Sequence, residues 1–204
     1  MKKDLTEIVI LLDRSGSMQS VRGDVIGGFN RFVEEQKQIP GEALLSLVQF
    51  DSEGPHDVVY DRVPLRDVPA LTEASYVPRR WTPLLDAMGW TITEAGRKLA
   101  TLPEEERPET VIFVVATDGM ENASCEFSKA AVAASVKTQQ EQFRWRFVYL
   151  GANQNAFVEA GSFGISMSLA AGNVCSYAST AHMATRMFGD ATKATTYYRT
   201  HQDP

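Results

Sequence analysis

Ile8-Val9-Ile10-Leu11-Leu12-Asp13-Arg14-Ser15-Gly16-Ser17 is the stretch on which the reading of this chain turns. Five apolar residues run unbroken into an acid, and two hydroxyls follow at alternate positions with a glycine between them. A short continuous apolar run closed by turn residues predicts a strand buried on both faces. Asp13 then stands where that strand leaves the sheet. In open α/β sheets, ligands bind beyond the carboxyl ends of the strands. Position alone therefore marks Asp13, Ser15 and Ser17 as candidates. In an extended segment alternate side chains share a side, so the three converge, and Gly16 permits a tight turn between the hydroxyls. One carboxylate and two hydroxyls are hard oxygen ligands that suit Mg²⁺, Mn²⁺ or Ca²⁺ better than zinc. The competing reading is a plain strand-to-helix loop whose serine caps the next helix. The motif alone does not separate the two.

Outward from that stretch, the chain alternates strands and helices. Val21, Val25, Phe29, Phe32 and Val33 keep a helical period, which Pro40-Gly41 ends. Residues 44–50 read as a second strand and 57–65 as a third, less buried one, joined by the turn 51–55 into a hairpin at one sheet edge. A proline-punctuated loop contains Arg79-Arg80-Trp81-Thr82-Pro83. Thr82 before Pro83 predicts an N-cap with proline at the first helical position. Leu84, Leu85, Met88, Ile92, Ala95 and Leu99 continue that helix. Residues 110–117 repeat the opening pattern and end in Asp118-Gly119. Residues 127–142 predict a helix, 143–150 a strand, 156–161 a short helix and 165–171 an edge strand. From Ser179, the positions Ala184, Met187, Phe188, Ala191, Ala194 and Tyr198 trace an amphipathic terminal helix. The sum is one α/β domain over residues 1–204, doubly wound around a mostly parallel sheet with one antiparallel edge strand. Its core spans about residues 5–172, and 173–204 form a helical extension.

Composition narrows the function classes. The chain has 204 residues, 44% hydrophobic and 23% charged, enough for a sizeable core. A net charge of −6 with no basic run argues against nucleic acid as the main partner. Cys125 and Cys175 lie far apart with no C-x-x-C, which excludes a cysteine zinc site and fits a reducing compartment. Lys2-Lys3 precede an apolar run shorter than a signal peptide requires, and no stretch approaches a membrane span. The expected location is cytoplasmic.

Three pieces now stand in order: Asp13-x-Ser15-x-Ser17 after the first strand, Thr82 opening a helix, and Thr117-Asp118-Gly119 closing a later strand. Together they resemble the von Willebrand factor A (VWA) domain and its metal-ion-dependent adhesion site (MIDAS), in its single-domain intracellular bacterial or phage-like type. The resemblance covers roughly residues 7–169. It implies a Rossmann-like sheet with the site at the topological switch point. It implies that Ser15, Ser17 and Thr82 are hydroxyl ligands of Mg²⁺, with Mn²⁺ or Ca²⁺ possible, and that Asp13 and Asp118 hold the metal directly or through water. It further implies a binding module rather than an enzyme, whose protein partner supplies an Asp or Glu carboxylate. Proteins of this kind often work beside AAA+ ATPases or in stress responses.

Neighbouring residues admit two readings each. Arg79, Arg80 and Trp81 either rim the site and meet the partner or are plain exposed loop residues. Glu121 and Asn122 either orient groups at the site, with Glu121 also placed to meet the partner, or start a helix. The main alternative function is a Mg²⁺-dependent phosphohydrolase with Asp13 as nucleophile. Such a site usually carries a second aspartate two positions on as general acid, where this chain has Ser15. A serine hydrolase lacks both a G-x-S-x-G and a histidine placed to activate Ser15 or Ser17. A purely structural metal is the remaining reading.

Overall fold

The computed structural model describes residues 1–152, 156–165, 168, 171–177 and 183–201. Six strands form one sheet in the order β3-β2-β1-β4-β5-β6. They are β1 (Lys2–Asp13), β2 (Glu42–Asp51), β3 (Gly54–Pro64), β4 (Pro108–Thr117), β5 (Arg146–Ala152) and β6 (Val174–Tyr177). All neighbours pair parallel except β2 with β3, the expected edge hairpin. The helices are α1 (Arg22–Lys37), α2 (Leu84–Thr101), α3 (Lys129–Phe143), α4 (Ala156–Ser162) and α5 (Met183–Thr200).

The sequence period explains the layering. Along β1, Ile8, Ile10 and Leu12 face one way and Val9 and Leu11 the other, and all five are buried. The first set joins Val25, Phe29 and Phe32 of α1 and Met187 and Phe188 of α5 in one core. The second joins Leu84, Met88 and Ile92 of α2 and Val132 and Val136 of α3 in the other. A strand buried on both faces must be apolar at every position, which is why β1 and β4 read as unbroken runs. β1 hydrogen-bonds to β2 on one side and β4 on the other, with Asp13 opposite Phe50 and Leu12 opposite Ala116. The chain winds outward from β1 in both directions, so the switch point lies between the carboxyl ends of β1 and β4.

Two expectations need correction. Of the strand expected over residues 165–171, the described residues Ile165, Ser168 and Ala171 are outside any strand, and residues 166, 167, 169 and 170 lie outside the described residues. Gly172 turns at φ 59°, and Asn173 then anchors to β5 by donating to the Phe147 carbonyl at 2.9 Å. The edge strand starts only after that anchor, at Val174. Phe143 ends α3 instead of opening β5, because Arg144 takes the left-handed conformation at φ 56° and closes the helix.

The segment past residue 172 thus contributes β6 and α5. Phe188 meets Phe29 edge-on at 6.1 Å between ring centres. Buried Arg199 donates from Nη1 to the Gln36 carbonyl at 2.7 Å, at the carbonyl end of α1. The expected helix start at residues 179–182 lies outside the described residues.

Candidate metal site

The site forms from three loops at the carboxyl edge of the sheet. Asp13, fully buried at the end of β1, accepts the Ser15 amide on Oδ1 at 2.7 Å and the Thr117 hydroxyl on Oδ2 at 2.6 Å. The Ser15 and Ser17 hydroxyls lie 3.1 Å apart, and Ser17 donates to Asp118 Oδ1 at 2.7 Å. Asp13, Ser15, Ser17 and Asp118 therefore form one hydrogen-bonded cluster across the ends of β1 and β4.

Thr82 joins them through Gly119. A Cβ on Gly119 would lie 2.8 Å from the Thr82 hydroxyl and 3.5 Å from Asp13 Oδ2, so only glycine lets the β4 turn pass between these groups. Gly16 is needed for a related reason. It makes a close approach, its amide donating to the Arg80 carbonyl at 3.0 Å, and a Cβ there would press on that oxygen at 3.3 Å. All five residues singled out in the sequence as ligands thus meet in one place.

Thr82 is not the N-cap of α2, however. No side chain caps that helix from the preceding residue. Its first amides are taken from across the site: Glu121 Oε2 accepts from Leu85 at 2.9 Å, and Ser124 Oγ accepts from Asp86 at 3.1 Å. The buried Asp86 carboxylate in turn accepts the amides of Cys125, Glu126 and Phe127. Asn122 accepts the Thr82 amide at 2.9 Å. This exchange fastens the loop that carries Asp118 to the helix that Thr82 precedes, and it leaves the Thr82 hydroxyl to the site.

No family model matches the chain, and no curated protein matches it. Solved structures do. Proximal thread matrix protein 1 from the mussel byssus matches over 94% of this chain and 46% of its own, with TM-score 0.60 and 13% identity. The von Willebrand factor type A protein from Catenulispora acidiphila matches over 94% of this chain and 42% of its own, at TM-score 0.56 and 15% identity. The fold is that of a von Willebrand factor A domain. Manganese-loaded TRAP protein of Plasmodium vivax matches over 92% and 73%, at TM-score 0.53 and 14% identity. This chain spans less than half the length of the first two. The mussel protein has also been solved with a zinc-occupied MIDAS motif.

The electrostatics of this site fit a cation. Burial pushes the Asp13 carboxyl up to about 6, with the Asp118 charge adding to it, while the Thr117 and Ser15 bonds pull the other way. Burial also raises Asp118, against the bond from Ser17. Two carboxylates held together and partly desolvated repel each other unless a positive charge lies between them. The nearby arginines are engaged elsewhere. Arg14 pairs with Asp51 at 2.7 Å and Asp57 at 2.8 Å, Arg79 with Asp51 at 2.9 Å, and Arg80 with Glu53. Two carboxylates and three hydroxyls are the oxygen donors that Mg²⁺ or Mn²⁺ takes.

The rim residues differ in what they can offer. Arg79 and Arg80 are exposed, yet their charges are met by acids of the β2–β3 turn. Glu121 spends both oxygens on backbone amides and the Ser124 hydroxyl. Trp81 is 65% exposed, as is Met120 beside Gly119. Two residues of the site were missed in the sequence. Thr117 braces Asp13, and the T-D-G triplet carried that signal. Buried Tyr76 donates to the Asp13 carbonyl at 2.7 Å from a loop with no recognisable pattern.

Proposed function

We propose that this chain is a protein-binding module that holds one Mg²⁺ or Mn²⁺ through Ser15, Ser17 and Thr82, with Asp13 and Asp118 completing the oxygen shell. The carrying observation is the hydrogen-bonded cluster of Asp13, Ser15, Ser17 and Asp118 at the switch point, set against Thr82. Such a donor set contributes only two negative charges, so a bound divalent cation keeps affinity for one more anionic oxygen. An Asp or Glu side chain of a partner protein supplies it. The zinc in the mussel MIDAS motif and the manganese in TRAP make both metals competitors to be tested beside Mg²⁺.

The phosphohydrolase reading has less support. A nucleophilic carboxylate must reach its substrate, whereas Asp13 is fully buried with hydrogen bonds on both oxygens. Trp81 and Met120, both exposed next to site residues, favour a protein surface over a small ester as the ligand.

The test is a partner complex measured with and without metal. Binding should disappear in EDTA and return with Mg²⁺. Changing the critical partner acid to its amide should remove most of the affinity. A complex that survives chelation would place the interface elsewhere.

A further inference from the structure

Asp51 lies outside the proposed ligand set, yet three segments of the site meet on it. Its side chain is fully buried at the end of β2. Oδ2 accepts Arg14 Nε at 2.7 Å and Arg79 Nε at 2.9 Å. Oδ1 accepts the amides of Glu53 at 2.7 Å and Gly54 at 3.1 Å. Arg14 is the residue between Asp13 and Ser15, so one arm of Asp51 reaches into the D-x-S-x-S loop. Arg79 lies three residues before Thr82, so the other arm reaches the loop that delivers the third hydroxyl. Backbone bonds run along the same seam: Arg79 N–H to the Arg14 carbonyl at 2.8 Å, Gly16 N–H to Arg80 at 3.0 Å, and Ser52 N–H to Trp81 at 3.1 Å.

Residues 68–83 contain no helix or strand, and Asn122 holds the Thr82 backbone from the other side, its Oδ1 accepting the Thr82 amide at 2.9 Å and its amide donating to the Thr82 carbonyl at 3.1 Å, so Arg79 is what ties the approach to Thr82 to the D-x-S-x-S loop. A hydroxyl is a weak ligand, useful only if its oxygen is held where the cation needs it. Of the two guanidinium groups on Asp51, Arg14 is buried and Arg79 is 43% exposed, and a buried carboxylate is costly unless such partners hold it.

We infer that Asp51 and Arg79 are positioning residues for the metal site: Asp51 holds Arg14 and Arg79 on one oxygen, which sets the Thr82 hydroxyl in register with Ser15 and Ser17. Arg79 is then part of the site's frame and not a charge offered to an acidic partner. This inference rests on the proposed metal function and refines it.

The experiment is a double-mutant cycle read by calorimetric titration of Mg²⁺ at pH 7. The proteins are the unaltered chain, Arg79→Ala, Thr82→Ala and the double variant, with the melting temperature of each metal-free protein recorded alongside. Arg79→Ala leaves Asp51 paired with Arg14, so the fold should persist. The single Arg79 change should weaken Mg²⁺ binding roughly tenfold or more, of the order reported for groups that orient metal ligands. In the Thr82→Ala background the same change should have little further effect, because the group it positions is gone. Arg79→Lys should recover part of the affinity. Equal losses in both backgrounds, or no loss in the first, would overturn the inference. If the unaltered chain takes up no divalent ion, it is the proposed function that fails, and the cycle reports that separately.

Discussion

At the scale of single residues, the site is legible in its proposed ligands and hidden in the residues that brace them. Asp13, Ser15, Ser17 and Asp118 show in the sequence because they stand at the end of a buried strand or within four residues of it, where the apolar pattern stops. Asp51 does not, because its partner Arg79 lies 28 residues away and nothing local announces the pair. Asp13 carries a pH signature. Its carboxyl titrates near 6 in the fold, against about 3.9 in an unfolded chain. The folded state holds that proton more tightly, so the metal-free protein loses stability as pH rises from about 4 through about 6. The loss is on the order of 3 kcal/mol at completion. A bound cation needs the ionised form, so stabilisation by Mg²⁺ should be larger at pH 7 than at pH 5. Melting curves at both pH values, with and without Mg²⁺, measure this; equal stabilisation at the two would rule out Asp13 as the coupled group. Gly119→Ala tests the same cluster by size. The added methyl would press on the Thr82 hydroxyl at 2.8 Å, and overpacking of this kind costs about 1–3 kcal/mol. Mg²⁺ affinity should fall with it, and an unchanged titration would mean that Thr82 is not a ligand.

Among the elements, β1 and β4 were legible because burial on both faces demands continuous apolar runs, and β2 because its apolar residues outnumber the buried Ser46 and Gln49 that interrupt them. β6 was not: of its four residues only the ends, Val174 and Tyr177, are buried, with half-buried Cys175 and Ser176 between them, and so short a stretch shows no period. The start of α2 was misread for a different reason. Thr82-Pro83 is a sound capping signal locally, but Glu121 and Ser124 reach that helix end from another part of the chain. Glu121→Ala should therefore act as the loss of a helix cap, costing about 1–2 kcal/mol. In a domain of this size that lowers the melting temperature by roughly 2–8 °C. Arg66→Ala, at a side chain 85% exposed, should shift it by no more than about 0.5 kcal/mol in free-energy terms. A Glu121 variant that melts like the Arg66 variant would mean that α2 does not depend on this cap.

The molecule as a whole is a sheet with a core on each face, and the proposed metal site lies where the winding reverses. β1 feeds α1 on one side while β4 enters from the other, so the carboxyl ends of adjacent strands open a cleft without disturbing either core. No helix among the described residues is long and apolar enough to cross a membrane. The layered α/β architecture could be read from the sequence because helical and strand periods alternate along it. The seam joining the three site loops could not, because long-range ion pairs leave no period. The central claim is that Asp13 and Asp118, on neighbouring strands, hold one cation between them. Titration of Mg²⁺ and Mn²⁺ into the unaltered chain and into Asp118→Ala at pH 7 addresses it most directly. The account predicts a single site in the unaltered chain. It predicts affinity at least roughly 100-fold weaker in the variant, whose metal-free melting temperature is unchanged or higher because a repulsive charge has left. No uptake by the unaltered chain at millimolar metal, or equal uptake by the two proteins, would contradict it.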